Sequence, residues 1–149
     1  MTVTFLPLTP PGVPRLLQLM QQLYAQDGLG YDESRARLAI DGLFEEPAHG
    51  GIWLIHADSA AIGYLVLTIG YSLEFHGRYA LLDEFFMVRE WRSQGIGTRA
   101  LAFAEAWCRS HGLRALRLEV GHANPRALGL YQRTGFEVHD RHLMTKWLP

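Results

Sequence analysis

The apolar positions of this chain change period several times. Residues 2–6 alternate polar and apolar, which predicts a short strand. Pro10, Pro11 and Pro14 then mark the approach to a helix. Leu16, Leu17, Met20, Leu23 and Tyr24 recur at helical spacing and form one apolar face, and the run Asp27-Gly28-Leu29-Gly30 ends that helix. Asp32 is a natural N-cap for a second helix, with Ala36, Leu38, Ile40 and Leu43 as its apolar positions and Glu45-Glu46-Pro47 as its close. The period then shortens to two. Residues 51–56, 62–71 and 79–88 read as three strands joined by turns at Asp58-Ser59-Ala60 and Phe75-His76-Gly77-Arg78, an antiparallel meander. Helical spacing returns over residues 98–110, with Gly112 as the C′ residue. Residues 113–120 predict a strand, 125–134 a short helix stopped by Gly135, and 136–147 the last strands. This order predicts one α+β domain over residues 1–149, with a mixed sheet flanked by helices.

Composition narrows the function classes. Of 149 residues, 48% are hydrophobic and 19% charged, which suits a packed domain of ordinary size. The net charge of −1 argues against a nucleic-acid or membrane-surface partner. The single cysteine, Cys108, stands beside Trp107 in a helical run and reads as a packed structural thiol. The first eight residues lack a signal-peptide pattern, and no apolar run reaches the roughly 18 residues that span a bilayer, so a cytoplasmic location is expected. The seven histidines show no metal-ligand spacing, and no metal site is expected.

The richest stretch is Arg92-Ser93-Gln94-Gly95-Ile96-Gly97, set between a strand and a helix. Glycine lets a ligand approach the backbone, and a helix N-terminus offers unpaired N–H groups and a positive dipole end. Together they predict a pyrophosphate cradle made by the N–H groups of Gln94, Gly95, Ile96, Gly97 and Thr98. The run from Gly95 to Ala100 also fits the dinucleotide pattern G-x-G-x-x-G/A, with Glu119 about 20 residues on. Against that reading, Arg89 to Gln94 separate the loop from its strand, and hairpin-length turns make the preceding strands antiparallel. The chain beyond the loop is too short for the remaining crossovers of a doubly wound sheet. No Gly-Lys-Ser/Thr follows, so the loop is not a P-loop.

Arg92, Gly95 and Gly97 match the motif Q/R-x-x-G-x-G/A, and Asn124, Ala127, Leu130, Tyr131, Gly135 and Phe136 match N-x-x-A-x-x-L-Y-x-x-x-G-F. With one helix and one strand between them, these motifs make the chain resemble the GNAT (Gcn5-related) N-acetyltransferases. The stretch from Asp83-Glu84-Phe85-Phe86 to Gly97 looks most like the polyamine (spermidine/spermine) branch. The resemblance implies acetyl-CoA as co-substrate and a primary amine of a small molecule as acceptor, with direct attack in a ternary complex. A protein N-terminus or lysine is the alternative acceptor, and a non-catalytic acetyl-CoA sensor or interaction domain the alternative of another class. It further implies a sheet splayed at the cofactor site, where Met87 and Val88 offer backbone groups to the pantetheine arm. Asn124 would touch the cofactor, and Arg89, Arg92, Arg99 or Arg133 the 3′-phosphate. The family also forms homodimers, and the last strand, with Leu143, Met144 and Trp147, is the candidate interface.

The chemistry requires a base for the ammonium, a donor for the carbonyl oxygen and an acid for the leaving thiolate. The resemblance gives the acid role to Tyr131 and the oxygen donor to a backbone N–H near Met87 or Val88. Asp83 and Glu84 are the candidate bases. Neighbouring strand residues face opposite ways, so at most one of them is expected to face the acceptor. Aligned on the glycine loop, Asp83 takes the position of the polyamine branch's catalytic glutamate. Tyr24, Tyr31, Trp53, Tyr71 and Glu74 are candidates for the acceptor pocket, since acids with aromatic neighbours suit a cation. Of the histidines, His122, just before Asn124, is the best placed to line the site.

Overall fold

The computed structural model describes residues 1–149 and divides the chain into two compact units, Met1–Glu119 and Val120–Pro149. In the first unit, strands β1 (Val3–Pro7), β2 (Gly50–Ala57), β3 (Ala60–Ser72), β4 (Gly77–Met87) and β5 (Leu116–Leu118) form one sheet in sequence order. The first three pairings are antiparallel, and β4 pairs with β5 in parallel. The sheet is therefore mixed, and the expected meander is present as β2, β3 and β4.

Helices α1 (Val13–Gln26) and α2 (Glu33–Glu45) precede the meander. Proline in its first turn starts α1, and Leu16, Leu17, Leu19, Met20 and Leu23 are its buried face. The Asp32 carboxylate caps α2 by accepting from Arg35 N–H at 3.0 Å. Leu38 does not belong to the apolar face of α2; it is 72% exposed. Ala36, Ile40 and Leu43 fall within one stripe at 3.6 residues per turn, and Leu38 lies nearly half a turn away from it. Helix α3 (Ile96–Ser110) ends at Gly112, whose φ is 67°, with Leu113 N–H bonded back to Cys108 O at 3.0 Å.

The alternation of β2 and β3 sends their residues to two cores. Ile52, Leu54, Tyr64 and Val66 pack with α1, Ile40 and Phe86. On the other face Trp53 packs edge-on against Phe103 and Trp107 of α3, with ring centroids 5.6 and 5.2 Å away. Phe5 stacks on Phe103 at 4.8 Å.

Strand β4 carries the feature that shapes the site. Its register with β3 runs from Gly63↔Met87 to Val66↔Glu84, then resumes at Leu67↔Leu82. Asp83 is thus an extra residue, a β-bulge, which bends a strand and redirects its side chains. Pairing with β5 stops at the same point, since the ladder covers only Ala80↔Leu116 to Leu82↔Leu118. The strand expected over residues 113–120 is accordingly three residues long. From Asp83 to Met87 one edge of β4 has no partner strand, which is the expected splay.

In the second unit, α4 (Pro125–Arg133) is the one regular element. Asn124 caps it by accepting from Ala127 N–H at 3.2 Å. The strands expected over residues 136–147 are absent. Their alternating pattern gives only propensity, and a strand exists only where a neighbouring ladder satisfies its backbone. Leu143, Met144 and Trp147, the residues expected at an interface, are exposed at 72%, 87% and 88%.

Candidate active site

A cavity of about 500 Å³ opens between the α1–α2 face and the sheet. Its lining includes both Asp83 and Glu84. The expectation that only one of them faces the pocket is corrected by the bulge, because the alternation rule fails where two residues oppose one.

The Glu84 carboxylate is held at both oxygens. Tyr24 donates its hydroxyl to Oε2 at 2.6 Å, and Tyr64 donates to Oε1 at 2.7 Å. Desolvation raises the Glu84 pKa above the usual carboxylate value; the two hydroxyl bonds oppose that shift, while the charges of Asp83 and Asp27 add to it. Burial also raises the pKa of Asp83, which projects from the bulge. Both tyrosines are pushed to higher pKa, first by burial and then by Glu84, so they remain donors. Tyr64 is fully buried. Sequence reasoning missed it, although a tyrosine inside an apolar strand signals a hydroxyl that needs a buried partner.

Of the expected acceptor residues, Tyr24 and Tyr31 line the cavity, edge-on to one another with centroids 6.0 Å apart. Trp53 does not, because it belongs to the opposite face of the sheet. Tyr71 and Glu74 do not either. Tyr71 pairs with Arg78 near the tip of the β3–β4 hairpin and is 73% exposed. It stands five residues along β3 from Val66, roughly 17 Å at the rise of a strand, and Glu74 lies in the turn beyond it.

The end of β4 and the glycine loop form the second part. Val88 N–H donates to Ile62 O at 2.9 Å, so its donor is already used. By the alternation of an antiparallel ladder, the backbone groups of Phe85 and Met87 then point to the open edge. Of the expected pair, Met87 faces the splay and Val88 does not. Arg92 is not a free phosphate ligand. Its guanidinium donates to Met87 O at 2.9 Å and Gln26 Oε1 at 2.7 Å, and lies 5.3 Å from the Phe86 ring centroid, bracing the loop to β4 and α1. Arg99 reaches Val3 O at 3.4 Å. Ser93 and Gly95 adopt left-handed φ values of 64° and 80°. The first helical bond of α3 runs from Arg99 N–H to Gly95 O at 3.2 Å, leaving the Ile96, Gly97 and Thr98 N–H groups at an end that no side chain caps. The Ile96 side chain itself is core, and the Gln94 carboxamide donates to Glu90 O at 3.1 Å. Space is open around Gly95. This uncapped, glycine-lined end suits a pyrophosphate, and its residues fit CoA.

In the second unit, Tyr131 and Phe136 pack edge-on with centroids 5.8 Å apart. Asn124 uses its side-chain oxygen for the cap of α4, and His122 is exposed. Cys108 is buried, its thiol pushed up to about 11 mainly by desolvation, which suits a structural role.

Comparison with known proteins agrees with this geometry. An uncharacterized N-acetyltransferase of Bacillus subtilis, YhfO, is 30% identical over 90 residues, a stretch that covers 60% of this chain and only 60% of that relative's length. The solved structure of an integron cassette protein from the Cole Harbour Salt Marsh metagenome is 33% identical, with a TM-score of 0.85 over 97% of this chain and 90% of that one. The aminoglycoside N-acetyltransferase AAC(6′)-Iy in complex with CoA shares the fold at 19% identity, with a TM-score of 0.82 over 98% of this chain and 95% of its own. The pattern of the acetyltransferase (GNAT) family matches residues 16–136, a range that takes in the bulged acids, the glycine loop and the Tyr131 motif, and the chain belongs to that family.

Proposed function

We propose that the protein is an acetyl-CoA-dependent N-acetyltransferase acting on a primary amine of a small molecule. The observation that carries this reading is the bulge at Asp83, which gives one cavity two acids while opening the β4 edge that leads to the glycine loop. Glu84 and Met87 are three residues apart, roughly 10 Å along a strand. A lined cavity also favours a small acceptor over a protein terminus or lysine.

The Ile96, Gly97 and Thr98 N–H groups would hold the CoA pyrophosphate, and the pantetheine arm would lie along the open edge of β4. Acetyl-CoA, when bound, supplies the acetyl group as an activated thioester. Glu84 takes a proton from the acceptor ammonium, because only the neutral amine is a nucleophile. Its raised pKa suits this work, and Tyr24 and Tyr64 fix its orientation. Asp83 adds the second negative charge that draws a cation into the cavity. Met87 N–H is the donor for the oxygen on which charge develops. Tyr131 keeps the proton-donor role its motif implies. The fold is also open to the sensor reading, but a sensor has no need of two acids in an acceptor cavity.

The test is CoA thiol release from acetyl-CoA against a panel of amines, in wild type and Tyr131→Phe. Release with one amine class is expected, with turnover of the variant lowered about 10-fold or more and CoA affinity held. CoA binding without release for any amine would leave the sensor reading standing.

A further inference from the structure

We propose that the cavity selects an amine with a single positive charge on an apolar, aryl or alkyl body, and excludes polycations. The inference rests on the acetyl-transfer reading and narrows its acceptor.

The distribution of charge in the lining carries it. Asp83 and Glu84 are consecutive on β4, so the negative charge that a cation can use is gathered at one place. The walls are Leu16 and Met20 from α1, Ile40 and Leu43 from α2, and Ile52 and Val66 from the sheet. None of these offers a hydrogen bond. The other charged lining residues are Asp32 and Arg35, of opposite sign, and one Asp32 oxygen accepts the cap bond of α2.

A polyamine carries further ammonium groups a few carbons from the first. With one ammonium at the acids, the next would meet hydrocarbon or the opposed charges of Asp32 and Arg35, which offset one another. A charge removed from water without a partner is strongly disfavoured. An aminoglycoside brings several ammonium and hydroxyl groups to the same walls, with the same deficit. An apolar body gains from the walls by burying its own surface. The Tyr24 and Tyr31 rings, set edge-on, present an aromatic corner suited to an aryl group or to the cation itself.

The experiment is calorimetric titration of the whole protein, in saturating CoA, with 2-phenylethylamine, 1-hexylamine, spermidine and kanamycin. At least one of the two monoamines is expected to bind about 10-fold or more tighter than spermidine or kanamycin. Ala39→Trp, at an exposed lining position of α2, should weaken the monoamine about 10-fold while circular dichroism and Tm stay near wild type. Equal or tighter binding of spermidine or kanamycin would overturn the proposal. So would the absence of monoamine binding at millimolar concentration, or full monoamine affinity in a folded Ala39→Trp. Thiol release separates the two readings. Release preferring spermidine sinks the acceptor class and leaves acetyl transfer intact; monoamine binding without release does the reverse.

Discussion

The two faces of the sheet are finished differently. On the α3 side, Phe5, Trp53, Phe103 and Trp107 fill the space with touching rings. On the α1–α2 side, leucines and tyrosines leave about 500 Å³ open above Asp83 and Glu84. Both faces are built from the same strands, whose alternating residues serve one core or the other. One face is spent on stability. The other accepts incomplete packing and two desolvated carboxylates, which weaken a fold but suit proton transfer. Close packing is thus withheld on one side of the sheet only.

That contrast can be broken from either face. The largest effect is expected from Glu84→Gln, which keeps both tyrosine contacts in shape but removes the base; kcat/KM should fall by about 10² to 10⁴. The parallel variant Asp83→Asn should fall less. If Asp83→Asn is the worse of the two, the base assignment moves to the bulged residue. On the packed face, Trp53→Ala should cost about 3–5 kcal/mol in urea denaturation and leave KM for the amine unchanged at a temperature where it is folded. A selective rise in KM would show that the faces are not separate.

Gly95→Val should weaken CoA about 10-fold by calorimetry, because a β-branched residue is strained at φ 80° and crowds the cradle. Unchanged CoA affinity would remove the cradle from the site. Tyr24→Phe takes away the donor at 2.6 Å from Glu84. That donor lowers the carboxyl pKa, so its loss should move the acid limb of the kcat/KM profile to higher pH. A shift to lower pH contradicts the assignment of that limb to Glu84.

The smallest effect concerns stability. The Glu84 pKa is raised in the fold, so its stabilising contribution is full below the ordinary carboxylate pKa of about 4.3 and is lost as pH rises through the folded value. The Tm of Glu84→Gln relative to wild type should therefore improve from acid to neutral pH. A trend in the opposite direction would mean that the tyrosine bonds outweigh desolvation.

Much of this was legible in the chain. The meander, the helices and the caps at Asp32 and Asn124 follow from local periodicity and from side chains that bond their own backbone. The glycine loop was legible because left-handed backbone and an open approach demand glycine. Two expectations fail for another reason: Leu38 lies off the apolar face of α2, and residues 136–147 have no partner ladder. Residue type alone suggests Tyr71 and Glu74, and the cavity lies away from both. Arg92 was legible as a motif position, yet its partners Met87 and Gln26 were not.

The sequence by itself determined the helices, the three-strand meander, the position of the glycine loop and which family the chain resembles, because these depend on neighbours close along the chain. Only the tertiary structure decided that both acids enter one cavity, that Tyr64 closes on Glu84 from 20 residues away, and that β4 leaves β5 after Leu82. All three depend on the register of β3 against β4. One inserted residue reverses the parity of every later side chain, and no local pattern records where the insertion falls.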